Sequence, residues 1–159
     1  MKTIAAAEYP QVKGRLVFRV IRDGQIIHTG KDNLIVTSGR NALAKLLSGQ
    51  TGMHIAQVGV GTGGSPTDAS DTGITGAVKV NVSEARVGVG LEAEDGTIFD
   101  DPRVVQFHFV FGIDTAVGMD IAEYGLFCAD GSLFSRVIRE KPLPKSNTDK
   151  IIGFWQITF

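Results

Sequence analysis

The chain has 159 residues, a formal net charge of -1, 43% hydrophobic residues and 21% charged residues, as in ordinary globular proteins. The near-neutral charge with scattered Lys and Arg excludes the electrostatic signature of a nucleic-acid-binding protein, and no apolar run approaches the ~18 residues that span a bilayer. The single cysteine excludes an internal disulfide framework, so we expect synthesis in a cytoplasm, with neither nucleic acid nor membrane as a partner.

The first predicted elements are an arm and a hairpin. Residues 1–11 show no hydrophobic period and end near Tyr9-Pro10, so we interpret them as an N-terminal arm that docks on a neighbouring molecule. From Val12 to Ile27 the residues alternate around Asp23-Gly24, which is a strong signal for a two-residue hairpin turn. The return strand leads through residues 33–36 into a helix.

One short helix is predicted near residues 38–48. Ser38 can cap it by accepting a hydrogen bond from a free backbone N–H. Leu43, Leu46 and Leu47 follow helical spacing and predict one narrow apolar stripe. Gly49 can adopt the positive φ angle that ends helices.

The middle of the chain combines strands with two polar excursions. Residues 54–61 predict a buried strand, and residues 63–76, dense in Gly, Ser, Pro, Thr and Asp, predict an extended surface loop. The alternation from Ala77 to Gly90 predicts one half-buried strand. Residues 92–103 hold five acids and predict an exposed excursion that turns at Asp95-Gly96.

Residues 104–111 have the clearest strand pattern of the chain. Every second residue of this segment is apolar, and in a strand these residues share one face, so this face should form the centre of the core. His108 lies on the opposite face, which favours a surface or interface position. The core face consists of Val105, Phe107, Phe109 and Phe111.

The C-terminal third predicts a second hairpin and a further strand. Residues 121–127 and 133–138 flank Asp130-Gly131, another hairpin turn signal. Pro142 and Pro144 predict a loop. Residues 151–159 predict a strand whose apolar face includes Trp155.

Eight to ten short strands with one helix predict a mainly β fold. We expect an antiparallel β-sandwich, jelly-roll-like, with one short α-helix near residues 38–48. The whole of residues 12–159 should form a single domain, because no composition shift or internal repeat divides it.

Two short motifs match catalytic signatures without the context that the chemistry needs. Residues 59–64 satisfy G-x-G-x-x-G, but a nucleotide site requires a helix directly after the glycines, and Ser65-Pro66-Thr67-Asp68 follows instead. These glycines are better explained by turning or close packing. Asp71-Thr72-Gly73 matches the aspartic protease triplet, which normally ends an apolar strand, whereas Asp71 follows polar residues. A loop-capping role is the preferred interpretation.

Metal and thiol chemistry are equally weakly indicated. The acidic residues of segments 68–71 and 92–101 could offer oxygens to Ca²⁺ but lack EF-hand spacing. The three histidines are isolated from one another, and Cys128 is expected to be a buried, inert thiol. We therefore expect no catalytic residue, no cofactor and no metal ligand, and leave Ca²⁺ binding by the acidic loops open.

Three segments resemble small structural proteins of tailed bacteriophages and prophages. The first is a strand pair that leads into residues 33–39 and a Leu-rich helix. The second is the strand and loop of residues 58–72, and the third combines residues 121–127, a DG turn, Phe134-Ser135-Arg136, Lys145 and residues 155–159. Together these segments cover most of the chain from about Leu16 onward.

This resemblance implies a virion protein without enzymatic activity, assembled in the bacterial host cytoplasm. The compact length and the absence of fibre repeats favour a capsid decoration or cement protein over a tail fibre. Such a protein would bind itself, as a homo-oligomer such as a trimer, and the major capsid protein. The alternatives are a tail or baseplate adaptor that binds tail or baseplate proteins, and a receptor- or glycan-binding module at the tail tip.

The candidate contact elements are the arm, the loop 63–76 and the acidic excursion 92–103, because each is long and polar. The candidate interface residues within them are Tyr9, Pro10, Pro66, Asp68, Asp71, Glu94, Asp100 and Arg103.

Overall fold

The computed structural model describes residues 11–159, so the predicted arm, apart from Gln11, lies outside the described residues. The helix α1 spans Thr37–Leu47. The strands in chain order are β1 (Lys13–Arg22), β2 (Gln25–Ile35), β3 (Ile55–Gly61), β4 (Val78–Asn81), β5 (Glu84–Val87), β6 (Leu91–Glu92), β7 (Ile98–Phe99), β8 (Val104–Phe111), β9 (Asp120–Cys128), β10 (Leu133–Pro144) and β11 (Lys150–Thr158).

Nine of these strands form one antiparallel sheet, in the order β4-β3-β9-β10-β2-β1-β11-β8-β5, and β6 and β7 form a separate hairpin. Strands account for 52% of the described residues and helix for 7%. The prediction of a mainly β, antiparallel fold with one short helix is therefore confirmed. The sheet is curled, and its finer description as a jelly-roll-like sandwich stays a prediction.

The two edges of the sheet meet at Val82 and Ser83. The Val82 N–H donates to the carbonyl of Ala56 on β3 (2.9 Å), and the Ser83 N–H donates to the carbonyl of His108 on β8 (2.8 Å). The single strand predicted from Ala77 to Gly90 is thus wrong, because the chain crosses there from one edge strand, β4, to the other, β5.

The sheet has two halves joined by a narrow link. Strand β2 pairs with β1 over nine residue pairs, from Gly14↔Asn33 to Arg22↔Gln25. It pairs with β10 only at Ser135↔Ile35 and Arg136↔Leu34. One half therefore consists of β2, β1, β11, β8 and β5, and the other of β4, β3, β9 and β10.

The main core lies between these halves. The rings of Phe18 on β1 and Tyr124 on β9 lie 4.9 Å apart across it. Phe109, Phe111 and Trp155 are fully buried, as the sequence predicted. Val105 and Phe107 share that face but are only partly buried against the core.

Helix α1 contacts the sheet differently from the prediction. Its buried residues are Gly39 and Ala42, whereas Leu46 is 38% exposed and Leu47 is 91% exposed. A Cβ at Gly39 would overlap the carbonyl oxygen of Phe134, so the helix backbone lies against β10. Leu43 packs against the core as predicted, but the prediction is wrong for Leu46 and Leu47, because this close approach brings the small residues of the helix toward the sheet.

The predicted Ser38 cap is also wrong. The helix begins after Val36 without a side-chain cap, and the Ser38 hydroxyl donates to the carbonyl of Leu133 (2.5 Å). Gly49 has a φ of 82° and its N–H donates to the carbonyl of Leu46, so its predicted role in ending the helix is confirmed.

All three Asp-Gly signals lie in turns. They connect β1 to β2, β6 to β7 and β9 to β10. The loop predicted at Pro142 and Pro144 is wrong, because both residues lie within β10. Proline fits there since the β2-facing edge of β10 is unpaired beyond Arg136.

Each outer face of the curled sheet carries a covering segment. The β6–β7 hairpin covers the half that contains β8, and its Leu91 is fully buried. The long loop before β4 covers the other half, where Ile74 packs on Val36, Phe127 and Leu133. Within residues 11–159 no helix has the length and apolar character that a bilayer crossing requires.

Candidate functional site

A buried ion pair joins the middle strands of the second half. The Arg136 Nε–H on β10 donates to Glu123 Oε2 on β9 at 2.8 Å, and these side chains are 3% and 1% exposed. Glu123 Oε1 accepts two backbone N–H groups, from Gly63 (2.8 Å) and Thr75 (2.6 Å). The carboxylate therefore holds both ends of the loop of residues 63–76.

Arg136 extends this network into the loop. Its Nη1 donates to Asp71 Oδ2 at 2.9 Å, and its Nη2 donates to the carbonyl of Ser65 at 3.0 Å. Burial lowers the pKa of Arg136, but the hydrogen bonds to Glu123 and Asp71 outweigh it, so the pKa is raised. The guanidinium stays charged and links β10 to β9 and to two points of the loop, Ser65 and Asp71.

The loop is also ordered by its own carboxylates. Asp71 Oδ2 accepts the Asp68 N–H (2.9 Å), and Asp68 Oδ1 accepts the N–H and the hydroxyl of Ser70. The Ser70 contacts lower the pKa of Asp68. The Ala69 carbonyl accepts the N–H of Thr37 at the start of α1 (2.8 Å). The loop is therefore a fixed polar surface.

The acidic excursion is likewise attached to the sheet. Arg15 Nε donates to Glu94 Oε1 at 2.9 Å, and Arg19 pairs with Glu92. The fully buried Gln106 side chain accepts the Glu92 N–H (2.9 Å) and donates to the Glu92 carbonyl (2.8 Å). The excursion was expected to be exposed throughout, but this double hydrogen bond and the buried Leu91 fix its base on β8.

A second charged cluster fastens one end of the sheet. Arg22 makes two 2.7 Å hydrogen bonds to Asp149, whose carboxylate is fully buried and also accepts the Ser146 N–H. The Arg22 contact lowers the pKa of Asp149. Lys145 donates to the Gly112 carbonyl at 2.9 Å, and burial lowers its pKa.

This end of the sheet also exposes aliphatic side chains. Ile26 and Ile27 of β2 are 56% and 50% exposed, and Ile113 and Val117 in the β8–β9 loop are 55% and 49% exposed. The Arg22–Asp149 and Lys145 contacts link the segment before β11 with the ends of β1 and β8, and these ends lead directly into the two exposed segments. Exposed apolar groups gathered at one end are typical of an interaction surface.

A cavity of about 450 Å³ opens between β2 and β10. Its lining residues are Leu16, Phe18, Thr29, Gly30, Lys31, Tyr124, Val137, Ile138, Arg139, Glu140 and Lys141. It differs from the other features because two buried polar groups that line it have no hydrogen-bond partner among residues 11–159.

The candidate interface residues have varied positions. Tyr9 and Pro10 lie outside the described residues. Pro66 and Asp71 contact Arg136, and Asp68 orders its own loop. Glu94 contacts Arg15 and Asp100 accepts the Gly90 N–H, while Arg103 pairs with Asp101 and is 70% exposed. The structure brings Pro66, Asp68 and Asp71 together in one loop, and their interface role stays a prediction.

The motif glycines serve close packing. A Cβ at Gly61 would lie 2.7 Å from the Thr75 carbonyl oxygen, and one at Gly63 would lie 2.5 Å from Glu123 Oε1. No helix follows them. Cys128 is buried, which raises the pKa of its thiol, and burial with the nearby Arg86 charge lowers the pKa of His108. Among residues 11–159 no three His, Cys, Asp or Glu side chains are grouped as a metal site requires.

Sequence reasoning missed the Glu123–Arg136 pair, although one signal was present. The Asp130-Gly131 turn places Arg136 opposite Gly125, and Glu123 two residues further on the same face. Opposite charges inside both apolar arms of a predicted hairpin are the pattern that would have indicated this pair.

No protein family model, curated protein or solved structure matches this chain.

Proposed function

We propose that this chain is a non-enzymatic structural protein of a tailed bacteriophage particle that associates with copies of itself and with a larger virion lattice. The resemblance of the three sequence segments supports the phage assignment. The arrangement of the described residues supports an assembly role, because buried charges such as those of Arg136 and Asp149 form internal ion pairs, while aliphatic side chains at one end of the sheet are exposed.

The observation that carries the assembly role is the aliphatic end of the sheet. Ile26, Ile27, Ile113 and Val117 are each about half exposed, and burying such residues between subunits is favourable in proportion to the apolar area removed from water. The β2-facing edge of β10 and the β10-facing edge of β2 are unpaired over most of their length, and unpaired edges are a second route to association.

A capsid decoration or cement role is the first location that we propose, with the major capsid protein as the partner. Many copies bound to a lattice stabilise it through multivalency, because each contact raises the effective concentration of its neighbours. The alternative location is the tail, as an adaptor to tail or baseplate proteins.

A glycan-binding module is less well supported. Such sites use exposed aromatic rings, but Trp155 and Tyr124 are fully buried, and Phe159 is the one strongly exposed aromatic residue among residues 11–159.

Immunogold labelling of intact particles with antibody against this chain tests the proposal. Gold over the head supports the decoration role, and gold at the tail supports the adaptor role. Particles that carry no label, and whose total protein contains no trace of this chain, would overturn both.

A further inference from the structure

The cavity between β2 and β10 exists because the two halves of the sheet separate there. Below the two residue pairs at Ile35 and Leu34, the strands diverge. Strand β10 also bulges away from β9, since Ile138 pairs with Glu123 but the next pair is Leu143 with Ile121. The opening leads to the inner face of the sheet, where Leu16 and Phe18 form the apolar floor.

Two buried donors in this cavity have no hydrogen-bond partner among residues 11–159. They are the Tyr124 hydroxyl, on a side chain that is fully buried, and Arg139 Nη1. Four buried side-chain polar atoms lack a partner in this part of the chain, and two of the four line this one cavity. Buried polar groups in folded proteins are nearly always paired, so this pair indicates a missing acceptor.

The geometry holds both donors in place. The Tyr124 ring lies 4.9 Å from the Phe18 ring, and the Arg139 guanidinium carbon lies 5.4 Å from the centre of the same ring. Arg139 Nε donates to the Lys141 carbonyl at 3.0 Å, which leaves Nη1 directed elsewhere. Burial raises the pKa of Tyr124 to about 12, against the charge of the neighbouring Arg139 and a side-chain interaction with it that falls short of hydrogen-bond geometry, so the hydroxyl carries its proton at neutral pH.

The charge of the cavity favours an anion. Lys31, Arg139 and Lys141 line it against one acid, Glu140. Lys31 is opposite the fully buried Leu16 in the β1–β2 pairing, so its side chain leaves from the inner face, where the strand pattern calls for an apolar residue. Its ammonium group donates to the Ile138 carbonyl at 2.7 Å and bridges the gap.

We propose that this cavity binds a carboxylate attached to an apolar body. Arg139 Nη1 and the Tyr124 hydroxyl donate to the carboxylate oxygens, and Lys31 and Lys141 add positive charge. Guanidinium and carboxylate groups are matched in shape and form strong charge-assisted hydrogen bonds. Phe18 and Leu16 contact the apolar body. This inference does not depend on the virion role, since the cavity lies within one copy of the chain.

Binding of benzoate, compared with its neutral analogue benzamide, tests the proposal on the full-length protein. Backbone NMR shifts at residues 29–31 and 137–141 should change saturably with benzoate and not with benzamide. Arg139→Gln should weaken benzoate binding by at least about tenfold, and Arg40→Gln, on the exposed surface of α1, should leave it unchanged. Tyr124→Phe removes only the hydroxyl, so it tests the site even if the Arg139 variant fails to fold.

The source of the carboxylate is distinguished by the oligomeric state. If benzoate dissociates wild-type oligomers, or if the Arg139→Gln variant fails to form oligomers, the carboxylate belongs to a second copy of this chain. If benzoate binds and the oligomeric state is unchanged, the ligand is a free organic acid. Equal responses to benzoate and benzamide, or equal benzoate binding by wild type, Tyr124→Phe and Arg139→Gln, would overturn the proposal.

Discussion

Arg136 and Glu123 form a buried ion pair whose 2.8 Å contact joins β10 to β9 and, through the remaining atoms of both side chains, to the loop of residues 63–76. The pair lies on the outer face of these strands, while core residues such as Tyr124 lie on the inner face. The polar loop is therefore held by charge on one side of the sheet, and the hydrophobic core forms on the other.

Arg136→Gln should strongly destabilise the protein, because Glu123 would keep a buried charge without its partner. Breaking a buried pair in this way costs about 3–5 kcal/mol, measured as the free energy of unfolding in urea. Arg103→Gln, which removes an exposed ion pair with Asp101, is the control and should unfold like wild type. Equal stability of the two variants would contradict the structural role of the pair.

Gly39→Ala should destabilise the protein even though alanine is the better helix former. The added Cβ would overlap the Phe134 carbonyl, and overpacking of this kind costs about 1–3 kcal/mol. Gly64→Ala, where a Cβ would meet no atom within 4 Å, is the matched control. Thermal unfolding of both variants checks the prediction, which fails if Gly39→Ala melts at or above the wild-type temperature.

Gln106→Ala should release the β6–β7 hairpin from the sheet. The substitution leaves the Glu92 N–H and carbonyl without their side-chain partner, at a cost of about 1–3 kcal/mol for buried groups. We expect faster hydrogen exchange at Glu92. Gln57→Ala, which loses an exposed contact to Asn81, is the control and should leave the Glu92 amide protected. Unchanged protection of the Glu92 amide in the Gln106→Ala variant would contradict the prediction.

Asp149 should make stability depend on pH in the acid range. Its pKa is lowered on folding by the Arg22 contact, so it contributes stability above the unfolded pKa of ~3.9, and this contribution is lost as the pH falls toward the folded value. Asp149→Asn should therefore lower the melting temperature at pH 7 and have a progressively smaller effect below about pH 4. A difference from wild type that stays constant across this range would exclude the linkage.

Ile26→Ser combined with Ile27→Ser should weaken self-association without unfolding the chain. These side chains are about half exposed, so stability should change little, whereas loss of an apolar contact should raise the dissociation constant about tenfold or more. Sedimentation analysis measures the effect. Leu47→Ser, at an exposed helix position, is the control, and equal association of the two variants would remove the aliphatic end from the proposed interface.

Local chemistry made several elements predictable from the sequence. Asp23-Gly24, Asp95-Gly96 and Asp130-Gly131 all lie in turns, because a turn depends on its own few residues. The core face of β8 followed from its strict alternation of apolar residues. Gly49 ended the helix since only the φ angle of that residue was needed.

The wrong predictions concern contacts between distant segments. Ser38 could cap its own helix, but its hydroxyl donates a hydrogen bond to the carbonyl of Leu133, 95 positions away. The prediction for Leu46 and Leu47 was wrong because β10 approaches α1 at Gly39. The contact between Arg136 and Asp71 was missed for the same reason, because it forms through the packing of a loop onto a sheet, which no short pattern in the sequence specifies.

The pairing of β1 with β11 has a consequence for how the protein is made. Lys13 pairs with Thr158, and β11 lies between β1 and β8 in the sheet. On the ribosome, β1 and β8 emerge long before the strand that joins them. Until residues 150–158 are translated, both strands have an unpaired edge, so this half of the protein must complete its folding after the synthesis of β11. During that interval the unpaired edges can pair with another nascent copy, which makes aggregation the main hazard of folding.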